Sequence, residues 1–391
     1  MSLTAILVHR AITPAEEILN ALILVEEGRI LAVGPREGVS IPRGARVAEM
    51  LDATATPGFV DVHVHGAGGQ DVMRGTSEAL EVVAATLTRG GTTSFLATTV
   101  TSATEVLCRS VSGIADAITA QASRGGADSP RAEILGVHLE GPFISRVRRG
   151  VHSEEYISAP APDLLRRLLD AASGRTRIIT LAPELPGALE LIDAARSMGI
   201  VVSVGHTDAN YEQAMAAIHR GARHAAHVFN AMRPFGHRDS GVIGAVLTRP
   251  EICAELIADG VHVDAAAMQV LLRAKGTEGV TLVSDGTAAT GMPDGCYRLG
   301  DFDIAVSGGV VRNKEGKLAG STLTLDRALR NIVSLGVRLK DAVQMMTLNP
   351  ARELGLEKTK GSLTSGADAD LVFLNRELEI VKVVTRGVGL V

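Results

Sequence analysis

The chain has 391 residues, 46% of them hydrophobic but only 3% aromatic and none of them Trp, so a large core has to be built from Ala, Val, Leu and Ile. A formal net charge of −5 without a dominant basic cluster, and so few rings to stack on bases, exclude nucleic acid and anionic membrane as expected partners. Cys108, Cys253 and Cys296 lack metal or redox spacing, no run of 18 apolar residues occurs, and the first residues lack a signal-peptide pattern, so a soluble, cytoplasmic protein is expected.

Residues 1–55 alternate short apolar runs (Ala5 to Val8, Ala21 to Val25, Ile30 to Val33) with turn signals at Glu27-Gly28 and Gly34-Pro35, the pattern of a small β-structure. The stretch Pro57-Gly58-Phe59-Val60-Asp61-Val62-His63-Val64-His65-Gly66 follows, a buried strand opened by a Pro-Gly turn and closed by glycines. Side chains alternate along a strand, so His63 and His65 share one face, roughly 6.6 Å apart along the chain. Further apolar strands are expected at Thr93 to Thr99, Ile134 to Glu140, Ile178 to Leu181, Val201 to His206, His224 to Phe229, Cys253 to Ala258 and Val280 to Asp285. Helical patterns separate them, such as Ser77 to Arg89, Asp163 to Ala172, Leu189 to Met198 and Tyr211 to Arg220. The end of the chain returns to strands at Ala369 to Leu374 and Ile380 to Val384.

Eight strands alternating with helices predict an α/β fold, a (β/α)8 TIM barrel. The β-rich ends predict a small discontinuous β-sandwich made by both termini, 1–55 and 349–391, around a barrel at 56–348.

Barrel chemistry gathers where the strands end. The residues there are His63 and His65, then His138 and Glu140, Glu184, His206 with Asp208, His227 with Asn230, and Asp285. His63, His65, Glu140, His206, His227 and Asp285 offer nitrogen and oxygen donors suited to divalent Zn or Fe. They exceed what one tetrahedral ion needs, and two ions bridged by Glu140 would use them all. His138 is expected to hydrogen-bond behind the ligands, the run Arg146 to Arg149 to be a solvated loop, and His9, His219, His224 and His237 to have no catalytic role.

The motifs His63-x-His65, His138-Leu139-Glu140-Gly141-Pro142, Gly205-His206-Thr207-Asp208-Ala209, His227-Val228-Phe229-Asn230-Ala231-Met232 and Ser284-Asp285-Gly286-Thr287 resemble those of the amidohydrolase superfamily. Within it the chain resembles the N-acetylglucosamine-6-phosphate deacetylases. Many two-metal amidohydrolases bridge their ions with a modified barrel lysine; here the first lysine is Lys275, beyond strands three and four, so Glu140 takes that place.

The resemblance implies one or two divalent ions (Zn or Fe) and hydrolysis of an acetamide on a phosphorylated amino sugar. Asp285 is expected as general base and then acid, and His152, in Gly150-Val151-His152-Ser153, as a donor to the acetamide carbonyl. Binding of substrate is expected from His152, the backbone N–H groups of Asn230 and Ala231, Arg238 and His262, with Arg238 able to reach in from the partner of a homodimer. Leu318 to Leu323 matches a family loop near the substrate. The alternatives are the galactosamine epimer or another phosphorylated amide, and, in a different class, a non-catalytic barrel scaffold.

Overall fold

The computed structural model describes residues 3–123 and 129–390. The chain opens with β1 (Thr4–Ile12), β2 (Glu17–Glu26), β3 (Arg29–Pro35) and β4 (Arg46–Pro57). It then alternates β5 (Phe59–Val64), α1 (Ser77–Arg89), β6 (Thr92–Thr99), α2 (Thr104–Ser123), β7 (Glu133–Glu140), α3 (Pro162–Ala171) and β8 (Thr176–Leu181). The second half of the barrel is α4 (Ala188–Ser197), β9 (Val201–Val204), α5 (Tyr211–Arg220), β10 (His224–Ala225), α6 (Gly241–Thr248), β11 (Cys253–Ile257), α7 (Ala265–Lys275) and β12 (Val280–Val283). An antiparallel insertion of β13 (Gly295–Leu299), β14 (Phe302–Ser307) and β15 (Val310–Asn313) precedes α8 (Leu325–Ser334), α9 (Leu339–Met345), α10 (Leu348–Glu353), β16 (Leu371–Leu374) and β17 (Ile380–Val384).

The strands β5 to β12 lie side by side in sequence order, each parallel to the next. The seam between first and last is closed at its upper end, where Asp285 N–H donates to His63 O (3.0 Å) and His65 N–H to Gly286 O (2.8 Å). Both faces of the barrel strands are covered, β5 and β6 along their whole length, as expected of a parallel sheet with helices outside. Their apolar residues form one core with the inner faces of the helices. α8 shows how: Leu325, Ala328, Leu329 and Ile332 recur at helical spacing and are all buried, each large aliphatic contributing on the order of 2 kcal/mol. Phe59, Phe95, Phe143 and Phe373 are the largest fully buried side chains.

Strands from both ends of the chain form one six-stranded mixed sheet, in the order β17-β16-β4-β1-β2-β3, with only the β1–β4 pair parallel. Ile12, Val372 and Leu374 of this module join the barrel core. A polar clasp adds to that contact. Lys360 Nζ, 5% exposed, meets Glu133 Oε2 at the start of β7 (2.6 Å), Asp368 Oδ2 (2.7 Å) and Asp370 Oδ2 (2.8 Å). Among the described residues no helix is long and apolar enough to cross a membrane.

Four strands, β9 to β12, end earlier than expected, and two of them show why. β9 stops at Val204 and β10 at Ala225, because His206 (φ 46°) and His227 (φ 29°) adopt left-handed backbone that no sheet ladder accommodates. The chain turns inward there, which aims both imidazoles at the barrel axis. α5 begins promptly after the first of these turns through a reciprocal cap, Asn210 accepting from Gln213 N–H while the Gln213 side chain accepts from Asn210 N–H.

Removing the clasp leaves buried carboxylates without their cation. Lys360→Met is expected to lower the unfolding free energy by about 3–5 kcal/mol, read as a shifted urea midpoint; an unchanged midpoint would show that the clasp is neutral.

Candidate metal centre

Glu140, the last residue of β7, sits at the centre of the upper barrel mouth and is 2% exposed. Its Oε1 lies 3.0 Å from His227 Nε2, 3.2 Å from His206 Nε2 and 3.3 Å from His63 Nε2. Its Oε2 lies 3.4 Å from His65 Nε2 and 3.3 Å from His152 Nε2. Asp285 Oδ1 completes the cluster, 3.1 Å from His65 Nε2 and 3.8 Å from His63 Nε2.

The protons on these rings can be placed from their outer partners. His65 Nδ1 faces the carbonyl of Thr98 (3.0 Å) and His206 Nδ1 the carbonyl of Arg148 (3.0 Å); a carbonyl only accepts, so each Nδ1 carries a proton. The His63 Nδ1–H donates to the Glu255 carboxylate (2.8 Å). In the neutral rings all three Nε2 atoms therefore present lone pairs. Burial, with His152 beside it, pushes His206 down to about 4, so its ring is neutral at pH 7.

The His206 lone pair then faces the Glu140 carboxylate at 3.2 Å with no proton between them, and His63 Nε2 is buried without a hydrogen-bond partner. A cation between the two acceptors reverses that repulsion. Ligands at 2.0–2.1 Å around a tetrahedral ion stand roughly 3.3 Å apart, close to the 3.0–3.2 Å separations among Glu140 Oε1, His206 Nε2 and His227 Nε2. His63, His65 and Asp285 form a second group of the same kind, which Glu140 joins to the first.

Burial opposes charge on Glu140, but His63 and His206 beside it hold its carboxyl well below the usual range. Asp285 is likewise lowered despite burial, chiefly by its bond to His65. Burial would also discharge His63, yet Glu255 and Glu140 hold that ring well above the usual histidine range. Where protonation is favoured to this degree beside carboxylates, a metal cation is favoured for the same electrostatic reason.

His152 differs from the ligands. The Thr101 N–H donates to its Nδ1 (3.1 Å), so the neutral ring carries its proton on Nε2, which points into the site. It is close enough to touch an ion but is built as a donor. Arg148 and Arg149 hold its loop: Arg148 Nε pairs with Asp208 Oδ1 (2.7 Å) and Arg149 donates to the His152 carbonyl (2.9 Å). The basic run thus braces the site loops more than a free solvated segment would.

A cavity of about 260 Å³ opens above the cluster, lined by His65, Glu140, His152, His206, His227, Asn230, Ala231, His262 and Asp285, with Leu299, Lys317 and Leu318 from the β13–β15 insertion as its roof. His63 lies beneath the floor, fully buried. His262 is oriented by Asp259, whose Oδ2 meets its Nδ1 at 2.7 Å. Two expected substrate contacts are placed differently from the rest. The Asn230 N–H is not free for a ligand, since it closes a turn onto His227 O (2.9 Å); among the described residues no hydrogen bond takes the Ala231 N–H. Arg238 is exposed and lines no part of its own chain's cavity.

Further residues support the cluster from outside the cavity, and Glu255 among them has no expected role from sequence. Leu318 to Leu323 braces Asp285: Ser321 N–H donates to Asp285 O (2.7 Å), and a Cβ on Gly320 would stand 2.8 Å from that oxygen. Glu255 and His224, both fully buried, lie under the ligands. Burial opposes charge on His224, but Glu353 and Glu255 hold it up to about 10, so it is an imidazolium. The signal for Glu255 was a lone acid inside the apolar run Cys253-Ala254-Glu255-Leu256-Ile257. His138 bonds to Val62 O and Thr180 Oγ1 and packs its ring edgewise on His63, a supporting position.

Glu140→Ala is expected to deplete bound metal at both positions, measured by elemental analysis of the purified variant; two retained ions would deny it a bridging place.

Comparison with known proteins agrees with this geometry. Residues 54–389 match the model of the amidohydrolase family. The N-acetylglucosamine-6-phosphate deacetylase of Lysinibacillus sphaericus is 38% identical over 335 residues, 85% of this chain and 84% of the relative. The N-acetylgalactosamine-6-phosphate deacetylase of Escherichia coli O157:H7 is 37% identical, covering 93% of each chain. A solved N-acetyl-D-glucosamine-6-phosphate deacetylase mutant of Mycobacterium smegmatis, in complex with N-acetyl-D-glucosamine-6-phosphate, superposes over 100% of both chains with a TM-score of 0.91 at 36% identity. The chain belongs to the amidohydrolase family, alongside the N-acetylglucosamine-6-phosphate deacetylases.

Proposed function

We propose that the protein hydrolyses N-acetyl-D-glucosamine 6-phosphate to D-glucosamine 6-phosphate and acetate. The observation that carries this reading is the Glu140-centred ligand cluster flanked by one proton acceptor, Asp285, and one proton donor, His152. The named relatives supply the substrate. We assign His63, His65, Glu140, His206, His227 and Asp285 to two divalent ions, Zn or Fe, which supply a lowered pKa for water (from about 15.7 to about 7) and polarisation of the acetamide oxygen.

The chain's own groups do the rest. Asp285, held ionised by the neighbouring His65, accepts the proton of the attacking water at a carboxylate oxygen. The new bond joins the water oxygen to the acetamide carbon. The Nε2–H of His152 donates to the carbonyl oxygen as charge develops there, a contribution of about 10²–10³-fold for donors of this kind. Asp285 then returns its proton to the amide nitrogen as the carbon–nitrogen bond breaks, releasing acetate and the free amine.

His262 and the Ala231 N–H face the cavity and would meet sugar and phosphate oxygens. Arg238, exposed and outside its own cavity, fits a phosphate contact across a homodimer interface, its planar fork suiting that group. The barrel, 56–348, is the catalytic unit in this reading, and the termini, 1–55 and 349–391, its support. The three cysteines are free thiols, which suits a reducing compartment, so we place the protein in the cytoplasm.

A second reading, the galactosamine epimer, has the relative named for that substrate in its favour. A kcat/KM higher for N-acetylglucosamine 6-phosphate than for its epimer is expected, and the reverse order selects the second reading. Acetate release should stop after exhaustive chelation and return with added metal; full activity in metal-free protein refutes the metal mechanism. Asp285→Asn is expected to lower kcat by about 10³-fold or more even when its ion content is restored to that of the wild type by added metal; near-normal turnover removes Asp285 from its role.

A further inference from the structure

Below the ligands a line of buried charged groups crosses the barrel, and the proposed mechanism uses none of them. His63 Nδ1–H donates to Glu255 Oε2 at 2.8 Å, and the same oxygen accepts the backbone N–H of His227 at 2.9 Å. Glu255 Oε1 lies 2.7 Å from His224 Nε2, and His224 Nδ1 meets Glu353 Oε1. Glu353, on α10, lines a cavity of about 540 Å³ at the opposite end of the barrel, together with Val201, Cys253 and Gly279 where β9, β11 and β12 begin. Its side chain is 7% exposed, and its Oε2 is buried without a partner.

His63 stands apart from the other ligands in this respect. His65 and His206 are oriented by neutral carbonyls, whereas His63 is oriented by a carboxylate. A carboxylate polarises the N–H more strongly, fixes the tautomer and makes the opposite nitrogen a better donor to a metal. Holding Glu255 ionised with no exposed surface requires a partner of opposite charge, and His224 is that partner. His224 is in turn clamped from the far side by Glu353. Glu255 meets His227 only at its backbone N–H, whereas it meets His63 at the ring itself, so its hold on the ring of a ligand falls on His63.

We propose that Glu255, His224 and Glu353 are positioning residues that govern retention of the ion held by His63, His65 and Asp285, so that occupancy of this position is set from the opposite face of the barrel. The proposal rests on the two-ion reading and concerns residues that touch neither substrate nor ion. It predicts an asymmetry: disturbing the far end loosens one ion and spares the one held by Glu140, His206 and His227.

The test is chelator competition on the full-length protein, wild type against Glu353→Gln and His224→Gln, reading zinc ions retained per subunit and the melting temperature of the metal-free form. Both variants are expected to hold the first ion normally and the second about 10–100-fold more weakly, and Glu353→Asp to recover part of the loss. Equal weakening of both ions, or of neither, overturns the relay while leaving the two-ion centre standing. A wild type that binds a single ion and is indifferent to His63→Asn overturns the two-ion reading, and the relay with it.

Discussion

The structure turns on one carboxylate surrounded by more lone pairs than protons. Glu140 has Nε2 atoms of His63, His65, His152, His206 and His227 within 3.0–3.4 Å, and the outer bonds of His65 and His206 leave their inner nitrogens bare. A cluster of buried acceptors is repulsive by itself. Cations convert that repulsion into binding energy, and His152, whose Nδ1 accepts from Thr101, points its N–H at the cavity. Local conformations elsewhere in the barrel mouth serve this convergence. His206, His227 and Asp285 all take left-handed backbone, an arrangement that costs a bulky residue on the order of 1 kcal/mol or more and is tolerated where the surroundings impose it.

Much of this could be read before the fold was known. Strand periodicity put His63 and His65 on one face, and the rule that barrel chemistry gathers at strand ends collected Glu140, His206, His227 and Asp285. What escaped has a common origin. A strand pattern continues through Gly205-His206 and through His227-Val228-Phe229, because hydrophobicity does not register the change to positive φ that ends β9 and β10. The turn that takes up the Asn230 N–H is equally invisible in sequence until the loop has formed. The link from Glu255 to His224 has no signal in sequence, since their partners come from separate segments, around His63, His227 and Glu353, which only the closed barrel brings together.

The relation between the two ends of the chain and the barrel also has physical content beyond tidy packing. The terminal sheet contributes Ile12, Val372 and Leu374 to the barrel core, and Lys360 gathers carboxylates from β7 and from the tail around one buried ammonium. β7 carries Glu133 at its start and Glu140 at its end, so the strand that supplies the central ligand is anchored at its base by the returning chain. Hydrophobic contact joins the two parts, and the ion pairs balance the charges buried between them.

The barrel seam lies where β5 meets the turn after β12, and its closing hydrogen bonds involve His63, His65 and Asp285 themselves. These partners are more than 200 residues apart in sequence, so the pocket between His63, His65 and Asp285 comes into being only when the last lap of the wheel has met the first. In the two-ion reading proposed above, an ion seated there would be a rivet across the join between the first and last staves of the cylinder.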